Sequence, residues 1–141
     1  MSSRGVLRTL IVAEVGLVVL SIVGSLLTES LLPEPLRAYV ATEFEGEITT
    51  RDVAMVAAAV PLLILWLVST IGLFFFWRPA RMLYVVTMIF GLLAMPFFGP
   101  YVDVGLGAML EDAATIISGV ILALVYFSPV KELFGGASVA A

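Results

Sequence analysis

The chain has 141 residues, 62% of them hydrophobic and only 13% charged, with a formal net charge of −4. Soluble globular domains are about 45–50% apolar and about 25% charged; a chain this short has too little interior to hide the excess from water, whereas a bilayer is itself the apolar solvent. Cys and His are both absent, which excludes disulfides, thiolate nucleophiles, His-based acid–base chemistry and His- or thiolate-ligated haem, zinc or copper, and no basic stripe with interleaved aromatics points to nucleic acid.

The expected fold is therefore all-α: one transmembrane domain over residues 1–141, an integral membrane four-helix bundle with a short outer amphipathic helix. A hydrocarbon core of about 30 Å needs about 20 helical residues. Four apolar runs meet or approach that length, at about 9–28, 53–77, 80–98 and 110–128.

The first run follows Arg4 and Arg8 and holds a single ionisable residue, Glu14. A cleaved signal peptide is the alternative, with Val23-Gly24-Ser25 as a small-residue site; cleavage would leave three spans. Glu14 interrupts the would-be h-region and the apolar run continues to Leu32, both of which argue against it. A charged carboxylate within a span costs about 2.5–3.5 kcal/mol at mid-bilayer and less nearer the edge. Glu14 must therefore face another helix, be protonated, or pair. Its expected partners are Arg78 and Arg81, with Arg8 as second choice. A sealed ion pair would make Glu14 structural; a water-accessible carboxyl would make it a proton or cation site. Ser21 and Ser25, with Gly24 and Thr28 beside them, mark a close-packing face.

Between the first two runs lies the longest polar segment. Leu36, Tyr39, Val40 and Phe44 recur at helical spacing, opposite Glu34, Arg37, Glu43 and Glu45. That pattern predicts an amphipathic helix over about 34–45, opened by Pro33 and Pro35 and lying on the outer surface. Thr49-Thr50-Arg51-Asp52 has the form of a capping box, with Thr49 as N-cap of the second span. Pro61 lies inside that span and predicts a kink, and Ala54 and Ala58 form a small-residue pair. Phe74, Phe75, Phe76 and Trp77 close it as interface anchors.

Arg78 and Arg81 flank Pro79, placed where a first helical residue can lack its N–H. The third span ends at Pro96 and Pro100. Phe98 to Gly107 reads as a Gly- and Pro-rich outer turn, forming an acidic lip with the earlier polar segment. The fourth span opens on Glu111 and Asp112, and its Thr115, Gly119 and Ala123 recur every four residues as a candidate helix-packing face. Tyr126-Phe127 is an interface pair, and Lys131 follows.

Five of the seven basic residues, Arg4, Arg8, Arg78, Arg81 and Lys131, fall on one side of this pattern, and nine of the eleven acids on or at the edge of the other. By the positive-inside rule both termini are cytoplasmic, and the expected location is a bacterial cytoplasmic (inner) membrane. No P-loop, Gly-x-Ser-x-Gly, His-Glu-x-x-His or CaaX motif occurs, and Asn and Gln are absent. No cofactor is expected, and the partners are the lipid bilayer and a homo-oligomer or larger membrane complex. The leading expectation for function is a non-enzymatic accessory, assembly or protective subunit working by helix–helix contact. The alternative is a small oligomeric channel or proton-linked transporter using Glu14. An intramembrane enzyme relying on carboxylates, Ser or Thr ranks third.

Overall fold

The computed structural model describes residues 3–28, 32–45, 49–97 and 105–135, and every regular element among them is helical. In chain order these are α1 (Ser3–Thr28), α2 (Glu34–Glu45), α3 (Thr50–Phe74), α4 (Ala80–Ala94) and α5 (Gly105–Phe127), with 3-10 turns at Met95–Phe97 and Pro129–Phe134. Four stretches are long and apolar enough to cross a membrane: Ser3–Leu27, Asp52–Phe74, Ala80–Phe97 and Gly105–Phe127. The short amphipathic helix forms over the residues expected; there Leu36 and Tyr39 are exposed, while the side chains of Val40, Glu43, Phe44 and Glu45 lie outside the described residues. The outer turn from Phe98 lies outside them as far as residue 104.

Local chemistry accounts for the helix limits. The capping box at Thr49 forms as its sequence predicts: Asp52 N–H donates to Thr49 Oγ1 at 3.3 Å, and Thr49 N–H donates to Asp52 Oδ2 at 2.7 Å. α3 runs unbroken through Pro61 but stops at Phe74, three residues short of the expected end. The stop is a Schellman closure, in which Trp77 N–H donates to Gly72 O at 2.8 Å and Phe76 N–H to Leu73 O at 3.1 Å. That motif needs a left-handed residue, usually Gly. Here it is Phe76, with φ of 58°. Gly72 is required for a different reason: a Cβ there would sit 2.6 Å from Ala80 Cβ, so the bare backbone lets α4 fold back against α3. α4 begins at Ala80, one residue later than Pro79, which serves as N-cap.

The long helices associate as two pairs. α1 packs chiefly on α5 and α3 chiefly on α4, with little contact between α4 and α5. The α1 face buries Leu7, Ile11, Glu14 and Ser21, and the α5 face buries Gly107, Ala114, Ser118, Ile121 and Val125. Both series follow the 3.6-residue period. Small residues dominate the α5 face towards its start, where close backbone approach takes the place of a hydrophobic drive. Gly24 belongs to the same seam, with Leu106 and Leu110 side-chain atoms 3.9 Å from where its Cβ would be. Ala54 and Ala58 are exposed instead.

The pairs are joined at one end, called here the closed end. The 3-10 turn after α5, capped by Ser128 Oγ accepting from Val130 N–H, folds Val130 and Phe134 into the core beside Leu7, Leu73, Ala80 and Tyr84. Phe134 packs edge-on to Phe76 at 5.6 Å. Arg8 lies over the Phe74 and Phe76 rings at 4.9 and 5.3 Å, Arg4 over Phe76 at 5.9 Å, and Arg81 over Phe134 and Tyr126 at 5.4 and 5.7 Å. The aromatics read as surface anchors thus divide. Phe75, Trp77 and Phe127 are exposed, whereas Phe76 is half-buried beneath arginines. Cation–π stacking of this kind contributes about 0.5–1 kcal/mol per exposed pair and more when desolvated.

Candidate functional site

Glu14 is the twelfth of the 26 residues of α1, about 16 Å along a helix about 39 Å long. The helix starts before Thr9, so Glu14 lies nearer its middle than the sequence pattern implies. Its side chain is 1% exposed. Oε1 accepts from the Tyr84 hydroxyl of α4 at 2.5 Å and from the Ser118 hydroxyl of α5 at 2.6 Å. One carboxyl oxygen thus ties together three helices, two from one pair and one from the other. Oε2 is buried and has no hydrogen-bonding partner. Leaving a buried acceptor unmatched costs about 1–3 kcal/mol, so this oxygen calls for an explanation.

Ser118 gives the cluster a second property. Its hydroxyl lies 3.0 Å from Ala114 O as well as 2.6 Å from Glu14 Oε1. A hydroxyl has one hydrogen, so it serves one acceptor at a time. Turned towards Ala114, it presents a lone pair to Glu14. The cluster can therefore accommodate a carboxylate or a carboxylic acid without moving a helix.

The arginines expected at Glu14 are elsewhere. Neither Arg78 nor Arg81 bonds to it: Arg81 is stacked on Phe134 and Tyr126, and Arg78 is exposed in the α3–α4 turn. Arg8, the second choice, donates to Phe74 O at 3.3 Å and covers two rings. Aromatic faces at the closed end hold these cations, and at Glu14 neutral hydroxyls do the work assigned to charge. Tyr84 and Ser118 are the residues that sequence reasoning missed. Tyr84 offered a signal, as the one tyrosine set well inside a span; Ser118 looked like any other small residue.

Above Glu14, away from the closed end, the two helix pairs stand apart around a crevice of about 580 Å³. Val18 and Ile22 of α1, Trp66 of α3, Met88 and Leu92 of α4, Met95 of the 3-10 turn after it, and Glu111, Thr115, Ser118, Gly119 and Leu122 of α5 line it together with Glu14. Glu111, seven residues and about 10 Å along α5 from Ser118, accepts from Ser21 Oγ at 3.3 Å. Trp66, Met88, Met95 and Thr115 also line an adjoining space of about 440 Å³ beside α3 and α4. The walls are apolar apart from the two carboxyls and a few hydroxyls. No group of three or more His, Cys, Asp or Glu side chains placed to hold a metal occurs among the described residues.

The expected helix-packing face of α5 is not the one that packs on α1. Thr115, Gly119 and Ala123 are all exposed, and a Cβ on Gly119 would meet nothing within 4 Å. The face that packs on α1 is the neighbouring one through Ala114, Ser118, Ile121 and Val125. Four-residue spacing is common to several faces of one helix, and the choice among them depends on what the other helix presents.

The architecture defines an all-helical protein with four helices long and apolar enough to cross a membrane. No protein-family model, no curated protein and no solved structure matches the chain.

Proposed function

We propose that the chain is a small integral membrane protein that takes up a proton or a cation through the crevice and holds it at Glu14, in the manner of a proton-linked transporter or channel. The observation that carries this reading is the carboxyl itself: buried near the middle of a membrane-length helix, held by two hydroxyls, paired with no arginine, and lining an open crevice. Intramembrane ionisable groups are costly and mark ion and proton pathways. In this reading Arg4, Arg8, Arg78, Arg81 and Lys131 face the cytoplasm, and the crevice mouth at Glu111 faces outward. The closed end, filled by Leu7, Leu73, Val130 and Phe134, is the inner seal. The acids near the mouth raise the local concentration of cations.

Three measurements test this reading. Infrared difference spectroscopy across a proton titration should show a protonated-carboxyl band that Glu14→Gln removes. In vesicles with an imposed proton gradient, Glu14→Gln should abolish flux while leaving the helical content intact. A Gln variant with the parent's band and flux overturns the proposal. Reporter fusions after Ala141 and within Glu43–Glu47 should report opposite sides of the membrane.

A second reading, an accessory or assembly subunit acting by helix–helix contact, is favoured by one feature: the exposed small-residue row Thr115–Gly119–Ala123, with open space at Gly119. Because the chain has no cysteine, Gly119→Cys is a single-thiol protein. Oxidation to a discrete dimer or heteromer in native membranes would support this role.

A further inference from the structure

Building on the proton- or cation-site reading, we infer that the crevice binds amphipathic protonated amines, with the ammonium N–H directed to the Glu14 carboxyl and the apolar body between the two helix pairs. Four observations converge on this class. Oε2 is buried and lacks a donor, so the site asks for an N–H or O–H group. Two carboxyls, Glu14 and Glu111, line the crevice, and among the described residues no lysine or arginine does; an anion is therefore disfavoured. The remaining wall is apolar and adaptable. Met88 and Met95 are flexible thioethers that fit varied shapes, and Trp66 offers an aromatic face to a cation. The volume of about 580 Å³ falls within the range of about 300–1,000 Å³ that holds small organic ligands.

The same observations disfavour two other kinds of cation. A divalent metal takes about six or more oxygen ligands, and the crevice lining holds two carboxyls, Glu14 and Glu111. A quaternary ammonium carries charge but no N–H, so it would leave Oε2 unmatched. A neutral hydrocarbon would fill the space and leave Glu14 Oε2 unmatched.

Trp66 supplies an intrinsic probe, because the chain has only two tryptophans and the other, Trp77, is half exposed in the α3–α4 turn. In a Trp77→Phe background, Trp66 emission should sensitise dansylcadaverine, a fluorescent amphipathic primary amine, in protein held in nanodiscs. The expected result is a saturable signal displaced by excess phenylbutylamine. N-acetylated dansylcadaverine, which has the same apolar body without the charge, should give only unsaturable partitioning. Glu14→Gln should weaken binding by about ten-fold or more, the loss expected when a charge-assisted hydrogen bond is removed. Gly119→Leu places bulk in open space of the crevice wall and should weaken binding comparably without touching the buried cluster, so the test stands even if the Gln variant folds poorly. Saturable binding of the acetylated probe, no saturable signal in the parent, or retention of affinity within about two-fold in both variants overturns the inference. If amine binding fails while the Glu14 carboxyl band still titrates, the amine falls and the proton site stands. Loss of both removes the underlying reading.

Discussion

At the closed end, α1, the α3–α4 turn and the 3-10 turn after α5 lock around Phe134, Ala80 and Leu73, each at most 1% exposed. Further along, past Glu14, the same helices diverge, and Leu92, Met95 and Ile22 stand exposed on the flanks of the crevice. Both regions are apolar. They differ in how their side chains are shaped and held. The closed end uses residues with a single fit: a glycine against an alanine, a phenylalanine in left-handed backbone, rings capped by arginines. The crevice uses methionines, small hydroxyls and a glycine with empty space beside it. Close packing is concentrated in the first region and open volume in the second, with Glu14 on the boundary.

That contrast can be broken most decisively at Phe134. Phe134→Ala removes a fully buried ring from the closed end and should cost about 3–5 kcal/mol, read as a lowered midpoint in reversible unfolding from mild detergent. A loss smaller than that of an exposed control such as Phe127→Ala would show that the 3-10 turn does not seal the core. Next comes Gly72→Ala. The new Cβ collides with Ala80 Cβ in a packed turn, and overpacking costs about 1–3 kcal/mol; the double variant Gly72→Ala, Ala80→Gly should recover part of it. Tyr84→Phe tests the boundary. It deletes one of the two donors to Glu14 Oε1 and should cost about 1–2 kcal/mol, while Thr87→Val, whose hydroxyl bonds only to its own helix at Leu83 O, should cost less. Gly119→Leu closes the series from the crevice side, with a stability change within about 0.5 kcal/mol. A large loss there would mean that the crevice wall is as tightly packed as the closed end.

Much of this arrangement is readable in the sequence, for reasons specific to each part. Thr49 and Asp52 declare the start of α3 because a capping box is closed within four residues. The segment over 34–45 declares a helix because its apolar positions repeat on one face. Glu14 stands out because any carboxyl in an apolar run must be answered by something. What answers it is less legible. Arginine was the expected partner on grounds of charge and depth, yet Arg8 and Arg81 are drawn to Phe74, Phe76, Phe134 and Tyr126. A guanidinium is satisfied by an aromatic face as well as by a carboxylate, and sequence separation says nothing about which it will meet. Phe76 was unreadable for a related reason. Its left-handed backbone is unfavourable for any L residue, and the ring and arginines packed on it come from two other segments, the 3-10 turn after α5 and α1.

The sequence by itself determined the four apolar stretches, the capped start of α3, the short amphipathic helix and the single carboxyl inside the first apolar stretch. Each follows from local composition, periodicity or a few adjacent residues. Only the tertiary structure decided which face of α5 packs on α1, that Tyr84 and Ser118 rather than an arginine hold Glu14, and that the two helix pairs part to leave a crevice above it. Those outcomes depend on how helices distant in sequence fit against one another. In an apolar chain nearly every face is greasy enough to be chosen, so shape and hydrogen bonding, which hydropathy does not record, make the choice.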